Sequence, residues 1–280
     1  MTQVALTANP PGAASSPKHD STCPFCAAPK PPDTKNDLSH DAPGLRVNTD
    51  AADNLGTAQP HANANGPKWR INYNHPATGK AGSSDLRSNP HHCIPANASL
   101  KGHPILEYVQ YDHSNKVIAD NIGYDVNKLE NGVWLPTIPE NFYAGNDAPP
   151  VAGIRWGALT EKYPTQQFNI AEAAMHEAKR QFHDAHPAYS GDVKDRLTKI
   201  HEGMHYYRMK CPEATGKSGG NNDVPAPYGL VNRLDGLSRR MAQYLDGDPL
   251  KWRPPLFTSR HAEAFHAKVV AAEALKKASS

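Results

Sequence analysis

The feature that most limits the fold is a change of texture near residue 168. Upstream of it, apolar residues come in short runs cut by proline and glycine. The first plausible strand is KWRINYN (68–74), where Trp69, Ile71 and Tyr73 alternate with polar residues. A Gly/Ser turn region, ATGKAGSSD, follows it and allows either a hairpin or a loop before the pair His91–His92. A helix is expected near 104–110. The run NGVWLPTIP is β-like but is stopped by Pro136 and Pro139, because proline cannot donate to a ladder. From 168 onward, FNIAEAAMHEAKRQFHDAHPAYSGDVKDRLTKIHEGMHYYRMK is helix-forming, with Asn169 a candidate N-cap and an interruption at HPAYSG. GKSGGNND (216–223) reads as a flexible loop, and further helices are expected near 230–245 and 259–277.

A chain of 280 residues with 38% hydrophobic content can bury an ordinary core in one large domain or two modest ones. No apolar run approaches the roughly 20 residues that cross a bilayer, and no membrane partner is expected. The N-terminus lacks a basic start followed by an apolar region, so no secretory signal is read and synthesis in a cytoplasm follows. Residues 1–66 are rich in Pro, Asn, Ala, Ser and Asp, contain no Glu, and show no periodicity; they read as a mobile leader. Those residues carry four Lys/Arg against six Asp, whereas residues 191–280 carry fifteen Lys/Arg against ten Asp/Glu. A basic C-terminal third is compatible with a polyanion and equally with an ordinary solvated surface. Four cysteines are too few for a disulfide framework, which points to a reducing compartment.

Four motifs compete for the chemistry. CPFC (23–26) has half the spacing of a zinc knuckle; His19, His40, Cys93 or Cys211 would have to complete it, and the plain alternative is an exposed reducible pair. HEGMH (201–205) matches H-E-x-x-H, two imidazoles one helical turn apart with Glu202 as a possible base, but no third ligand follows at a usual distance. HAE (261–263) has the H-x-E of zinc deaminases without a downstream C-x-x-C, and is set aside. Finally, His91 and His92 stand together, and His183 and His186 follow with a spacing that shares one face if the segment is helical. A metal-dependent nuclease needs a cation against the scissile phosphate and a base to deprotonate water, and adjacent imidazoles can divide those tasks.

In that order, PHHCIPANA, GYDVNKLENGVWLPT and FHDAHPAYSGDVKDRL resemble the AHH-type branch of the HNH/endonuclease VII superfamily, over about residues 87–200. The resemblance implies an α+β fold with a ββα-metal, treble-clef-like HNH core in 67–210, and leaves 211–280 as a helical extension packed on it. It implies that His91 ligates or positions a divalent ion (Mg, Mn, Ni or Zn), that His92 is the general base, that His183 ligates the metal, and that His186 is a second ligand or a phosphate contact. Asn131 corresponds to the polar residue that orients the base, or shapes the turn with Gly132. Pro90 and Cys93 depart from the family pattern, and residues 137–167 form a Pro/Gly-rich insertion outside it. Arg87, Arg233, Arg239 and Arg240 are candidate nucleic-acid contacts.

The function this implies is phosphodiester cleavage, of DNA sooner than RNA, by an antibacterial toxin or effector of the type VI secretion kind. Such a protein has a cognate immunity protein and a secretion adaptor or carrier, with residues 1–66 as delivery segment, and passes from the producer's cytoplasm into that of the target cell. Two other readings stay open: a zinc metallopeptidase built on His201, Glu202 and His205, and an inactive nuclease fold that only binds.

Overall fold

The computed structural model describes residues 22–40, 67, 69–74, 81–138, 156, 164–215 and 224–279. Strand β1 (Arg70–Asn74) pairs antiparallel with β2 (Ala81–Asp85), and β3 (Arg87–His92) pairs antiparallel with β4 (Gly132–Thr137). The Gly/Ser stretch is thus partly strand, and β2 runs through Leu86 directly into the strand that carries the histidines. Helices α1 (Pro164–Ala178), α2 (Pro187–Lys210), α3 (Gly229–Leu245) and α4 (Arg260–Ser279) follow. The result is a mixed α/β molecule with small sheets and helices, as the resemblance implies at that coarse level.

Strand β4 is apolar on both faces, and all its residues but Thr137 are buried. A strand covered on two sides does not alternate, and α1 and α3 both pack on it. Pro136 does not end it as expected: it lies opposite Ser88, and its carbonyl accepts the backbone N–H of His183 at 2.9 Å. Among the described residues the β3–β4 sheet has only two strands, so a proline can sit in it without breaking a central ladder. The helix expected near 104–110 is a short 3-10 turn, Pro104–Tyr108.

Helix α1 begins at Pro164 and not at Asn169, which lies inside it. Proline suits a first helical turn because its missing N–H would have no partner there. The helical stretch does break, but ahead of HPAYSG and not across it: Lys179 turns to a positive φ of 52° and residues 179–186 are not helical, while 187–191 already belong to the next helix. Helix α2 restarts at Pro187, again with proline in the first turn. The segments 139–155, 157–163 and 216–223 lie outside the described residues, as do 1–21 and 41–66.

The mobile-leader reading does not hold for residues 22–40. Cys23 and Phe25 are buried in the larger core cluster, and the Phe25 ring meets Tyr108 edge-on at 6.4 Å. Asp37 bridges Asp125, its N–H donating to Tyr124 O at 3.0 Å while its carbonyl accepts from Val126 at 2.8 Å. Two glycines make room for the segment. A Cβ on Gly123, whose φ is +77°, would stand 2.7 Å from Asp33 O, and one on Gly229 would stand 2.9 Å from Pro24 Cα. A segment anchored by isolated bridges and two apolar side chains has no period to read.

Among the described residues, two apolar clusters form the core. The larger joins the loop after β3, one face of β4 through Val133 and Leu135, α2, α3 and the N-terminal segment; the smaller joins β1, the other face of β4 through Trp134, α1 and α4 around Trp69, Trp252 and Phe265. Both draw residues from either side of position 210, so the C-terminal helices are part of the packing that holds the histidine strand.

Candidate active site

Strand β3 delivers His91 and His92 from adjacent positions, and adjacent strand residues point to opposite faces. His91 turns toward His183, His186 and Tyr189, with ring centroids at 5.1, 4.9 and 5.1 Å. His92 turns the other way, with its Nε2 2.9 Å from Asn127 Oδ1 and its ring 4.7 Å from that of His40. The two imidazoles therefore have separate surroundings although they are sequence neighbours.

His183 and His186 do not share a helical face. His183 lies in the connector between α1 and α2, where its N–H donates to Pro136 O and its carbonyl accepts from Thr137 Oγ1 at 3.1 Å, so β4 fixes its height. His186 precedes the first residue of α2. Sequence spacing paired two histidines that the structure does bring together, but through a different geometry. One ligating atom from each of His91, His183 and His186 lies within 4.8 Å of the others.

His91 Nε2 is buried with no hydrogen-bond partner. An orphaned buried nitrogen is costly unless something else engages it, and here it faces two further imidazoles. Burial, then the neighbouring His183, His186 and His92, holds His91 well below the ordinary histidine range. Burial and His186 push His183 down to about 4, and burial lowers His186. All three are therefore neutral near pH 7, the form that coordinates a cation. Three nitrogen donors of this kind fit a borderline divalent ion such as zinc, nickel or manganese.

Asn131 does not orient His92. It is wholly buried, its Oδ1 accepts from Ile94 N and Ser238 Oγ, and its Nδ2 donates to Ile94 O and Val126 O. Those four bonds use the full capacity of an amide side chain. Asn131 is a staple between the loop after β3, the approach to β4, and α3. The residue that reaches His92 is Asn127, whose Nδ2 also donates to Ser39 O at 3.0 Å. It closes the GYDVN stretch (123–127), which is the signal that pointed to it.

The basic candidates are scattered. Arg87 is exposed at the end of β3 away from the histidines. Arg233 donates to Thr22 O at 2.8 Å and stacks over Tyr207 at 4.7 Å, so it binds the N-terminal segment to α3. Arg239 is exposed and donates to Asp235 O one turn earlier; Arg240 is exposed too. The structure brings none of the four into the histidine cluster.

The HEGMH histidines do meet a third group, Glu107, which lies too far upstream for spacing to reveal. His201 Nε2 is 2.9 Å and His205 Nε2 3.4 Å from Glu107 Oε1. The other carboxylate oxygen accepts from Asn115 at 2.7 Å, and Tyr108 Oη is 3.0 Å from His205 Nδ1. Glu202, the base of the peptidase reading, is exposed. In the discarded HAE motif, His261 is a buried ring among Trp156, Phe168 and Phe182.

Comparison with known proteins returns no match among curated proteins and none among solved structures. A family model does match, described as AHH, a nuclease family of the HNH/ENDO VII superfamily with conserved AHH, over residues 74–215 and so just over half of the chain. That span contains both strands of the β3–β4 pair, the four histidines and all of α2. HNH nucleases use divalent metals, and the His91 group has the donors to hold one. The chain belongs to the AHH nuclease family, enzymes that hydrolyse phosphodiester bonds in nucleic acid.

Proposed function

We propose that the chain is a metal-dependent endonuclease of the ββα-metal type, with β3, β4 and the start of α2 as its core. His91, His183 and His186 hold one divalent ion. The single observation that carries this reading is the buried, unpartnered His91 Nε2 facing two neutral imidazoles. A divalent ion held there supplies positive charge to the scissile phosphate and to the leaving oxygen.

His92 is the general base. A donor hydrogen on Nε2, held by Asn127 Oδ1 at 2.9 Å, leaves the basic lone pair on Nδ1. His92 then takes a proton from the attacking water, and Asn127 keeps the ring in the tautomer and orientation that permit it. Ser39 and His40 brace this arrangement from the N-terminal segment.

The same reading takes DNA as the substrate sooner than RNA, and the protein as an antibacterial effector. It is made in the producer's cytoplasm, delivered through an adaptor or carrier into the target's cytoplasm, and silenced at home by an immunity protein. The family resemblance and the need to protect the producer's own chromosome support this. Plasmid cleavage by the purified protein tests the core of it, with EDTA, Mg, Mn, Ni and Zn conditions beside His92→Ala and His201→Ala. Metal-dependent nicking lost only in His92→Ala is the expected result. Cleavage that survives EDTA, or that is lost in His201→Ala instead, overturns the assignment. Co-purification with the product of a neighbouring gene tests the immunity partner.

A further inference from the structure

We propose that Cys23, Cys26 and Cys211 bind a zinc ion that clamps the N-terminal segment 22–40 to the far end of α2.

The two halves of this site are remote in sequence and unlike in structure. Cys23 and Cys26 sit in one tight turn, where Cys23 O accepts from Cys26 N at 3.1 Å and from Ala27 N at 2.7 Å. That turn lets both thiols of a C-x-x-C unit face one point. Cys211 ends α2, its N–H still donating to Tyr207 O at 2.8 Å, and its carbonyl accepts from Ala214 and Thr215. The third thiol is thereby fixed by backbone on both sides.

The sulfur spacing suits a shared ion. The three Sγ atoms lie within 4.8 Å of one another, and Cys26 Sγ is 3.5 Å from Cys211 Sγ. Tetrahedral zinc with Zn–S bonds of about 2.3 Å sets its sulfurs roughly 3.8 Å apart. No disulfide joins them; all are free thiols. Soft thiolates select zinc over magnesium or calcium. The fourth position falls to solvent on the side of Cys26, the one exposed member.

Charge and packing agree with this occupant. Three thiolates around a divalent ion leave a net negative charge, and Arg233 stands beside them, bonded to Thr22 O one residue before Cys23. Gly229 N–H donates to Pro24 O, and the absence of a Cβ at Gly229 lets the C-x-x-C turn lie directly on the start of α3. A loop of 184 intervening residues separates Cys26 from Cys211, so closing it with an ion removes much chain entropy from the unfolded state. The clamped segment runs on to Ser39 and His40, which lie against Asn127 and His92.

Zinc content of the full chain, purified with a reductant in a His91→Ala/His183→Ala background, tests the proposal without reference to cleavage. About one zinc per chain is expected, released by an organomercurial thiol reagent, retained in Cys93→Ala and lost in Cys26→Ser. Cys26 is exposed, so that variant folds; circular dichroism checks it. Cobalt in place of zinc gives a thiolate-to-cobalt charge-transfer band that Cys26→Ser abolishes. Limited proteolysis gains cuts within 27–40 once the ion is stripped. Zinc retained in Cys26→Ser, a chain free of zinc, or a Cys26–Cys211 disulfide by intact mass would each overturn it.

Discussion

Two groups of three ligand-bearing side chains stand about 22 Å apart along α2, at its start and some 15 residues further on. In the first, around His91, the nitrogens are neutral, no carboxylate takes part, and one buried nitrogen has no partner. In the second, around Glu107, the carboxylate already engages His201, His205 and Asn115. Both meet a distance test for a metal site. They differ in that the first keeps a buried nitrogen without a partner whereas the second spends its donors on one another, and that difference, together with the neighbouring His92, favours the proposed metal site at His91 over the Glu107 cluster.

The strongest way to break this contrast is cleavage by paired variants. His92→Ala is expected to lower the cleavage rate by about 10²–10⁴-fold, the usual contribution of a positioned general base. His201→Ala is expected to stay within about threefold of the parent. Equal losses would erase the distinction. Metal affinity sharpens it next. With Cys26→Ser as common background, titration of Mn or Ni should show affinity falling at least about tenfold in His183→Ala and unchanged in His205→Ala, because only the first removes a donor from an ion.

The sequence displayed which histidines gather better than how they are brought together. His91, His92, His183 and His186 were legible as a set because three ordered motifs carried them, and the prolines at 164 and 187 explain why the helices start where they do. The shared helical face was wrong because His183 is held by β4, through Pro136 O and the Thr137 hydroxyl, the latter 46 residues away in sequence, contacts that no local period encodes. Asn131 was misassigned for a related reason: a buried amide looks the same in sequence whether it orients a base or staples loops, and only its four bonds decide. Glu107 left no readable signal, and Cys211 could be named only as one of four candidates to complete CPFC, since each completes its cluster through a long-range contact. The segment 22–40 looked like leader because its core anchors are few and aperiodic, and the close approaches at Gly123 and Gly229 show only in the structure.

The two asparagines allow a finer test of which residues serve the histidine site and which serve only the fold. Asn127→Ala is expected to lower cleavage by about tenfold while leaving metal affinity unchanged, because it frees the His92 ring to take the wrong tautomer or rotamer. Asn131→Ala is expected to cost about 3 kcal/mol or more of stability, since it strands buried partners at Ile94, Val126 and Ser238. Urea denaturation and cleavage assays together separate the two. A folded, stable Asn131→Ala enzyme that loses only activity would return Asn131 to the role expected from sequence.

The smallest expected effect is in pH, and it distinguishes the two α2 clusters by window: both contributions are lost as pH falls, but over different ranges. His183 titrates near 4 in the folded chain, against about 6.5 unfolded. Between those values the unfolded chain binds more protons, so this contribution is fully present above about pH 6.5 and is lost as pH falls toward about 4. Glu107 behaves differently: burial alone would raise its carboxyl, but bonds from Asn115 and His201 outweigh burial and hold it below the ordinary range. Its contribution is present above its unfolded value of about 4.5 and is lost only below that. Urea midpoints of metal-free protein should therefore slope between pH 6.5 and 4.5. His183→Gln should flatten part of that slope, the remainder coming from His91, His186, His103 and His261, which are also held low by burial. Glu107→Gln should lower the midpoint at pH 7 by about 1–3 kcal/mol in free-energy terms and leave the slope in that window in place. A slope that vanishes in Glu107→Gln instead would mean that the second cluster, and not the first, governs how protons couple to this fold.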